Sequence, residues 1–153
     1  MFNSNFLSKM TKSSFNLRSV AKIGVTCLAV CMIFVACGKK DKDGNEGEGK
    51  WPSASVLSKY GLDGMQKPAG LKSSFFAENG GIQLVITIEG NASTAASIKS
   101  YFSGGGWVIT GESPQGEYTS TTYGKEVGNT VYAVVLLEEP DYCFQITAVK
   151  APK

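Results

Sequence analysis

Residues 51–153 predict an α+β fold: an antiparallel sheet of about five strands with one main helix packed on one face. Apolar residues alternate with polar ones in several short segments, which is typical of half-buried strands. A single longer segment has apolar residues at helical spacing. Turns rich in Gly, Asn and Pro separate these segments. We therefore expect a two-layer structure in which a hairpin, a helix and a three-stranded meander follow one another.

The first element of this region is a short N-terminal helix. Trp51-Pro52 marks the start of the domain, Ser53 can cap the helix, and Gly61 can end it. The following loop covers residues 63–72. The helix and loop contribute aromatic and apolar residues that we expect to pack at the edge of the core: Trp51, Leu57, Tyr60, Leu62 and Met65.

A hairpin follows, with strands predicted at Ser73–Glu78 and Ile82–Glu89. The connection Asn79-Gly80-Gly81 is a strong hairpin motif because Asn-Gly favours tight turns with positive φ. Apolar and polar residues alternate in the second strand, so one face should be buried and the other mostly exposed to solvent. The residues predicted on the buried face are Ile82, Leu84, Ile86 and Ile88.

The main helix is predicted to begin after Gly90, with Asn91 or Ser93 as its cap, and to run for about 11 residues. Ala95, Ile98 and Phe102 lie on one stripe of this helix. The triplet Gly104–Gly106 should end it.

Four remaining segments alternate in the manner of strands, and we expect the three-stranded meander to form among them. They are Trp107–Glu112, Glu117–Tyr123, Thr130–Leu137 and Tyr142–Lys150. Thr130–Leu137 is the most apolar, which predicts a central position in the sheet. The predicted core combines residues from sheet and helix: Ile82, Leu84, Ile86, Ile98, Phe102, Val134 and Leu136.

The N-terminal part has the organisation of a secretory leader. Residues 1–22 contain basic residues and no acid, and the next 14 residues, 23–36, carry no charge and end at Cys37. A membrane-spanning helix needs roughly 20 apolar residues, so this run is short for an anchor. An uncleaved transmembrane helix is the alternative, and Met10 is an alternative start.

The sequence Phe34-Val35-Ala36-Cys37 resembles the lipobox of bacterial lipoprotein precursors. The resemblance implies a signal peptide at 1–36, cleavage before Cys37, and attachment of acyl chains such as palmitate to that cysteine. Residues 38–50 are rich in Gly, Lys and acids, which predicts a disordered tether after the lipidated Cys37. By analogy with such lipoproteins, Gly38 favours the outer membrane over the inner, with the periplasmic or surface side left open.

The charge of residues 38–153 argues against a nucleic-acid partner. The whole chain has a formal charge of +2, but four of its basic residues precede the apolar run. The 11 lysines and 13 acids of residues 38–153 leave a side-chain charge of −2. A nucleic-acid-binding domain needs a positive face.

Catalytic, metal and cofactor sites are not predicted. The chain has no His, which removes the common general base and the imidazole metal ligands. Cys143 has no neighbouring base and is expected to be a buried structural residue. The acids Glu138, Glu139 and Asp141 lack the spacing of a calcium loop.

One candidate binding surface is predicted on the open face of the sheet. Tyr118, Tyr123, Tyr132 and Tyr142, with the Thr-rich residues 119–122, offer rings and hydroxyls to a protein or glycan partner. The alternative is that these residues have no binding role and occur here because Tyr and Thr favour strands. The sequence thus favours a small membrane-anchored lipoprotein that is a non-enzymatic binding or structural module. The second hypothesis is an inhibitor or accessory subunit of an envelope enzyme or transport complex.

Overall fold

The computed structural model describes residues 51–153. The predicted signal peptide, Cys37 and the tether lie outside these residues. Within residues 51–153, two helices and six strands follow one another, with a 3-10 turn at Pro140–Tyr142 between the last two strands. In chain order they are α1 Ala54–Lys59, β1 Ser73–Asn79, β2 Gln83–Glu89, α2 Ala92–Gly104, β3 Val108–Gln115, β4 Tyr118–Val127, β5 Thr130–Glu139 and β6 Cys143–Pro152.

The strands form one antiparallel sheet in the order β1-β2-β6-β5-β4-β3. The α+β class, the short first helix and the main helix are as expected, but the sheet has six strands rather than about five. The prediction of a three-stranded meander is wrong because all four of the alternating segments after α2 form strands, β3 to β6. β3 also continues beyond the predicted strand end at Glu112 and includes Pro114. β3 is an edge strand, so the missing N–H of a proline can be tolerated there.

The last strand closes the sheet between the hairpin and the meander. Ile146 of β6 lies opposite Ile86 of β2 on one side and Leu136 of β5 on the other. This row of apolar side chains crosses the middle of the sheet. β5 is next to β6 at the centre, as its apolar sequence predicted.

Helix α2 begins at a capping box. The Asn91 side chain accepts hydrogen bonds from the backbone N–H groups of Ser93 and Thr94, and the Thr94 hydroxyl accepts one from the Asn91 N–H. The same hydroxyl donates to the carbonyl of Ala69, which ties the helix start to the preceding loop. Gly105 provides the C-cap, so both predicted ends of the helix are confirmed to within a residue.

Both helices and the loop between α1 and β1 pack on the same face of the sheet. Tyr60, Leu62, Ile98 and Phe102 are buried there, in one cluster with the inward residues of β2, β5 and β6. The prediction for Ile82 is wrong, because this side chain is 68% exposed. Its backbone N–H bonds to the carbonyl of Asn79, which places Ile82 in the turn before β2 begins.

Among residues 51–153, neither helix is long and apolar enough to cross a membrane; the longer one, α2, has 13 residues.

Candidate functional site

The helical layer is narrower than the sheet, and a groove of about 500 Å³ lies beside α2, over the β3–β4 hairpin. Its floor consists of side chains that point to the helix-bearing face: Thr119, Thr121, Tyr123 and Leu136. Lys99 and Ser103 of α2 form one wall. Ile109 and Glu112 of β3, together with Glu138 of β5, complete the lining.

Strand register explains why these residues meet. Thr121 lies opposite Glu112 on one neighbouring strand and Leu136 on the other. Thr119 lies opposite Glu138, and Tyr123 lies opposite Ile109. Because alternate residues of a strand share a face, the Thr and Tyr side chains of β4 line the groove together.

Tyr123 connects the groove to the core. Its ring stacks on Phe102 with centroids 4.4 Å apart and an interplanar angle of 15°. Phe102 is buried and also makes an edge contact with Trp107 at 5.6 Å. The groove floor is therefore fixed by the packing of α2 on the sheet.

The groove has an excess of negative charge. The Lys99 ammonium lies 3.0 Å from the Glu138 carboxylate, whereas Glu112 has no ion-pair partner among residues 51–153. Burial raises the pKa of Tyr123, and the nearby carboxylates of Glu112 and then Glu138 raise it further. The two carboxylates thus disfavour a further negative charge at this hydroxyl.

Thr121 is a largely buried residue whose side chain lines the groove. The residue is 9% exposed, and its side chain makes no hydrogen bond within the part of the chain that the structure describes. A ligand in the groove could supply the missing partner.

The four tyrosines of the predicted binding surface do not lie on one surface. Tyr123 and Tyr132 are partly buried and pack against the core on the helix-bearing face. Gly61, with φ +74°, lies so close to the Tyr132 ring that a Cβ atom would come within 2.6 Å of it. Tyr118 is 44% exposed at the start of β4, and Tyr142 is 48% exposed in the 3-10 turn.

This prediction was wrong because it treated all four rings as outward-facing. Tyr123 and Tyr132 occupy inward positions of their strands, while Tyr118 is at the other parity of β4 and Tyr142 is not in a strand. What remains of the surface is Tyr123 with Thr119 and Thr121, which line the groove. No sequence motif marks Lys99 or Glu112 as members of this site, and Glu138 was considered only as part of an acidic turn.

Cys143, the one free thiol of the described residues, is half-buried rather than fully buried. Its strand neighbours in register are Glu89 and Glu139. Burial raises the pKa of the thiol, and the carboxylates of Glu139 and Glu89 raise it further. A raised pKa reduces the thiolate fraction, and the thiolate is the nucleophile.

Within residues 51–153, no group of three or more His, Cys, Asp and Glu side chains is placed to hold a metal ion. A second cavity of about 360 Å³ lies at the opposite end of the sheet, where the β1–β2 and β4–β5 turns meet β6. Tyr132 and Lys150 line it, with the exposed Ile82 at its edge.

Comparison of the whole chain with protein-family models, with curated proteins and with solved structures gives no match.

Proposed function

We propose that this protein is a lipid-anchored, non-enzymatic binding module of the bacterial cell envelope, held on the membrane through Cys37. Its ligand binds in the groove between α2 and the β3–β4 hairpin. The observation that carries the binding role is Thr121 on the groove floor, a residue only 9% exposed whose hydroxyl has no hydrogen-bond partner among residues 51–153 and lines the groove. Binding sites commonly combine an apolar lining with a few polar groups that fix the ligand.

Two observations support a binding role rather than catalysis. The chain has no His to act as a general base. The free thiol of Cys143 has a raised pKa and carboxylate neighbours, which is the opposite of the electropositive environment that activates a cysteine nucleophile.

The membrane anchor is tested by metabolic labelling with an alkyne-bearing fatty acid. Cys37→Ser should abolish labelling, because the thiol is the acylated group. Cys31→Ser is the matched control: it changes another cysteine of the same apolar run and should leave the label in place. Full labelling of the Cys37→Ser protein would rule out this anchor.

The binding role is tested by co-purification of membrane partners with the full chain and two variants. Thr121→Val removes the groove hydroxyl, and Thr122→Val makes the same change one residue further along β4, on the other face. Loss of a co-purified component in Thr121→Val alone supports the groove. An equal yield in both variants would refute the proposal that the ligand binds there.

A second role, as an inhibitor or accessory subunit of an envelope complex, is favoured by the edge strand β1. Its seven residues contain no proline and pair in regular register with β2 only. β3, the other edge, has a bulge between Ile109 and Gly111 and contains Pro114. Such features discourage strand addition, so β1 is the edge at which a partner strand can pair. Protection of β1 amides from hydrogen exchange on partner binding would support this role; protection confined to the groove would count against it.

A further inference from the structure

We infer that the groove binds a cationic group, the ammonium or guanidinium of a Lys or Arg side chain presented by a protein partner. This inference rests on the proposed binding role of the groove and names the chemistry of its ligand.

The first step is the charge of the lining. Two carboxylates, Glu112 and Glu138, face one ammonium, that of Lys99. Lys99 is engaged by Glu138 at 3.0 Å, so the Glu112 carboxylate has no counter-charge among the described residues. Burial raises the pKa of Tyr123, and the two carboxylates raise it further because they disfavour a second negative charge at that position. An anionic ligand would meet this repulsion, and a cation would relieve it.

The second step is the hydrogen-bonding chemistry. Thr121, a residue that is 9% exposed, lies on the floor of the groove beneath these charges, and its hydroxyl has no hydrogen-bond partner among residues 51–153. A hydroxyl oxygen has two lone pairs that can accept hydrogen bonds, and Lys and Arg head groups carry three and five N–H donors. One basic head group can thus contact the Glu112 carboxylate and the Thr121 hydroxyl together.

The third step is the shape and polarity of the remaining lining. Ile109 is 58% exposed at the rim, and Leu136 is buried on the floor. Lys and Arg side chains bury their methylene stems against apolar groups while the head group contacts polar ones. A glycan would instead need a free aromatic platform, and one face of the Tyr123 ring is already covered by Phe102.

The test is an amide NMR titration of the full chain in neutral detergent micelles. The probe is the capped tripeptide Gly-Arg-Gly; capped Gly-Gln-Gly, capped Gly-Glu-Gly and maltohexaose are the comparison ligands. We expect Gly-Arg-Gly to shift the amides of Thr119, Thr121 and Tyr123 at concentrations at which the other three do not.

Two charge variants give opposite expected changes. Glu112→Gln should weaken Gly-Arg-Gly binding about three- to fivefold, because it removes the unpaired carboxylate. Lys99→Gln should strengthen binding by a similar factor, because it releases Glu138. Both side chains are on the surface of the groove, so neither change should disturb the fold. Raising the salt concentration should weaken binding of the peptide to all three proteins.

Each contrary result has a distinct meaning. Equal shifts with the Gln or Glu peptide, or groove shifts with maltohexaose alone, would overturn the cation preference and leave the groove as a binding site. Unchanged affinity in both charge variants, or no groove shift with any probe, would also overturn the inference. Failure of the proposed function is read separately, from co-purification with the Thr121→Val and Thr122→Val variants.

Discussion

The helix-bearing face of the sheet has two regions that differ in burial. Over β2, β6 and β5 the side chains are covered by α2 and the residues around α1, and Ile86, Ile146 and Val134 are fully buried. Over the β3–β4 hairpin the same face is open, and Ile109 is more than half exposed. The comparison indicates that the first region supplies stability, whereas the second supplies a recessed surface with unpaired polar groups. Four predictions test this division between a stabilising region and an open one.

The largest effect is expected at Phe102, which joins the two regions. Phe102→Ala removes a buried ring that contacts Tyr123 and Trp107, and should lower the free energy of unfolding by about 3–5 kcal/mol. Urea denaturation followed by Trp fluorescence measures the change. Tyr118→Ala, an exposed ring of the hairpin, is the comparison and should cost less than about 1 kcal/mol. Similar losses in both variants would contradict the division.

A smaller loss is expected at the start of α2. Asn91→Ala removes the acceptor for two backbone N–H groups and should lower the free energy of unfolding by about 1 kcal/mol. Ser53→Ala removes the cap of the six-residue α1, where the one backbone bond is longer, at 3.4 Å, and should cost less. The same urea titration compares the two. A larger loss for Ser53→Ala would show that α1, not α2, is the critical layer over the sheet.

Alkaline pH should act on the covered region through Tyr60. This phenol is fully buried and donates a hydrogen bond to Glu78, and burial, followed by that bond, raises its pKa well above 10. The folded state holds the proton more tightly than the unfolded state, so stability is retained below pH 10 and falls as the pH rises beyond it. Tyr60→Phe should show a shallower fall between pH 10 and 11.5 in thermal melts. An unchanged slope would exclude Tyr60 as the cause.

The smallest effect on stability is expected for Lys99→Gln in the groove. The Lys99–Glu138 pair is exposed at 56% and 32% of its two side chains, and such surface pairs contribute about 0–1 kcal/mol. The melting temperature should therefore change little. A loss comparable to that of Asn91→Ala would mean that the groove wall is part of the stabilising layer.

Local sequence features were sufficient for the elements whose ends are set by a few neighbouring residues. Asn79-Gly80-Gly81 identified the hairpin, and Asn91 and the glycines at 104–106 identified α2, because turns and caps depend on residues close in sequence. Ile82 was misplaced because alternation alone does not show where a turn ends and a strand begins. The two-glycine turn includes Ile82, and β2 starts at Gln83.

The groove could not be predicted in this way because it depends on strand order. Glu112, Thr121 and Glu138 belong to three different strands, and only the pairing of β4 with both β3 and β5 brings them together. Tyr123 could have been assigned to the inner face by its spacing from Thr119 and Thr121. Nothing local to the sequence placed Lys99 opposite Glu138, since the two are 39 positions apart.

The position of β6 also affects the order in which the sheet can form. Among residues 51–153, β6 follows the other five strands in the chain, yet it lies between β2 and β5 and makes the only strand pairing in this range between the β1–β2 hairpin and the rest of the sheet. Until β6 is available, the hairpin and the other strands have no common ladder. Such long-range pairing slows folding. The β1–β2 hairpin and strands β3–β5 therefore become one sheet once β6 has paired with both β2 and β5.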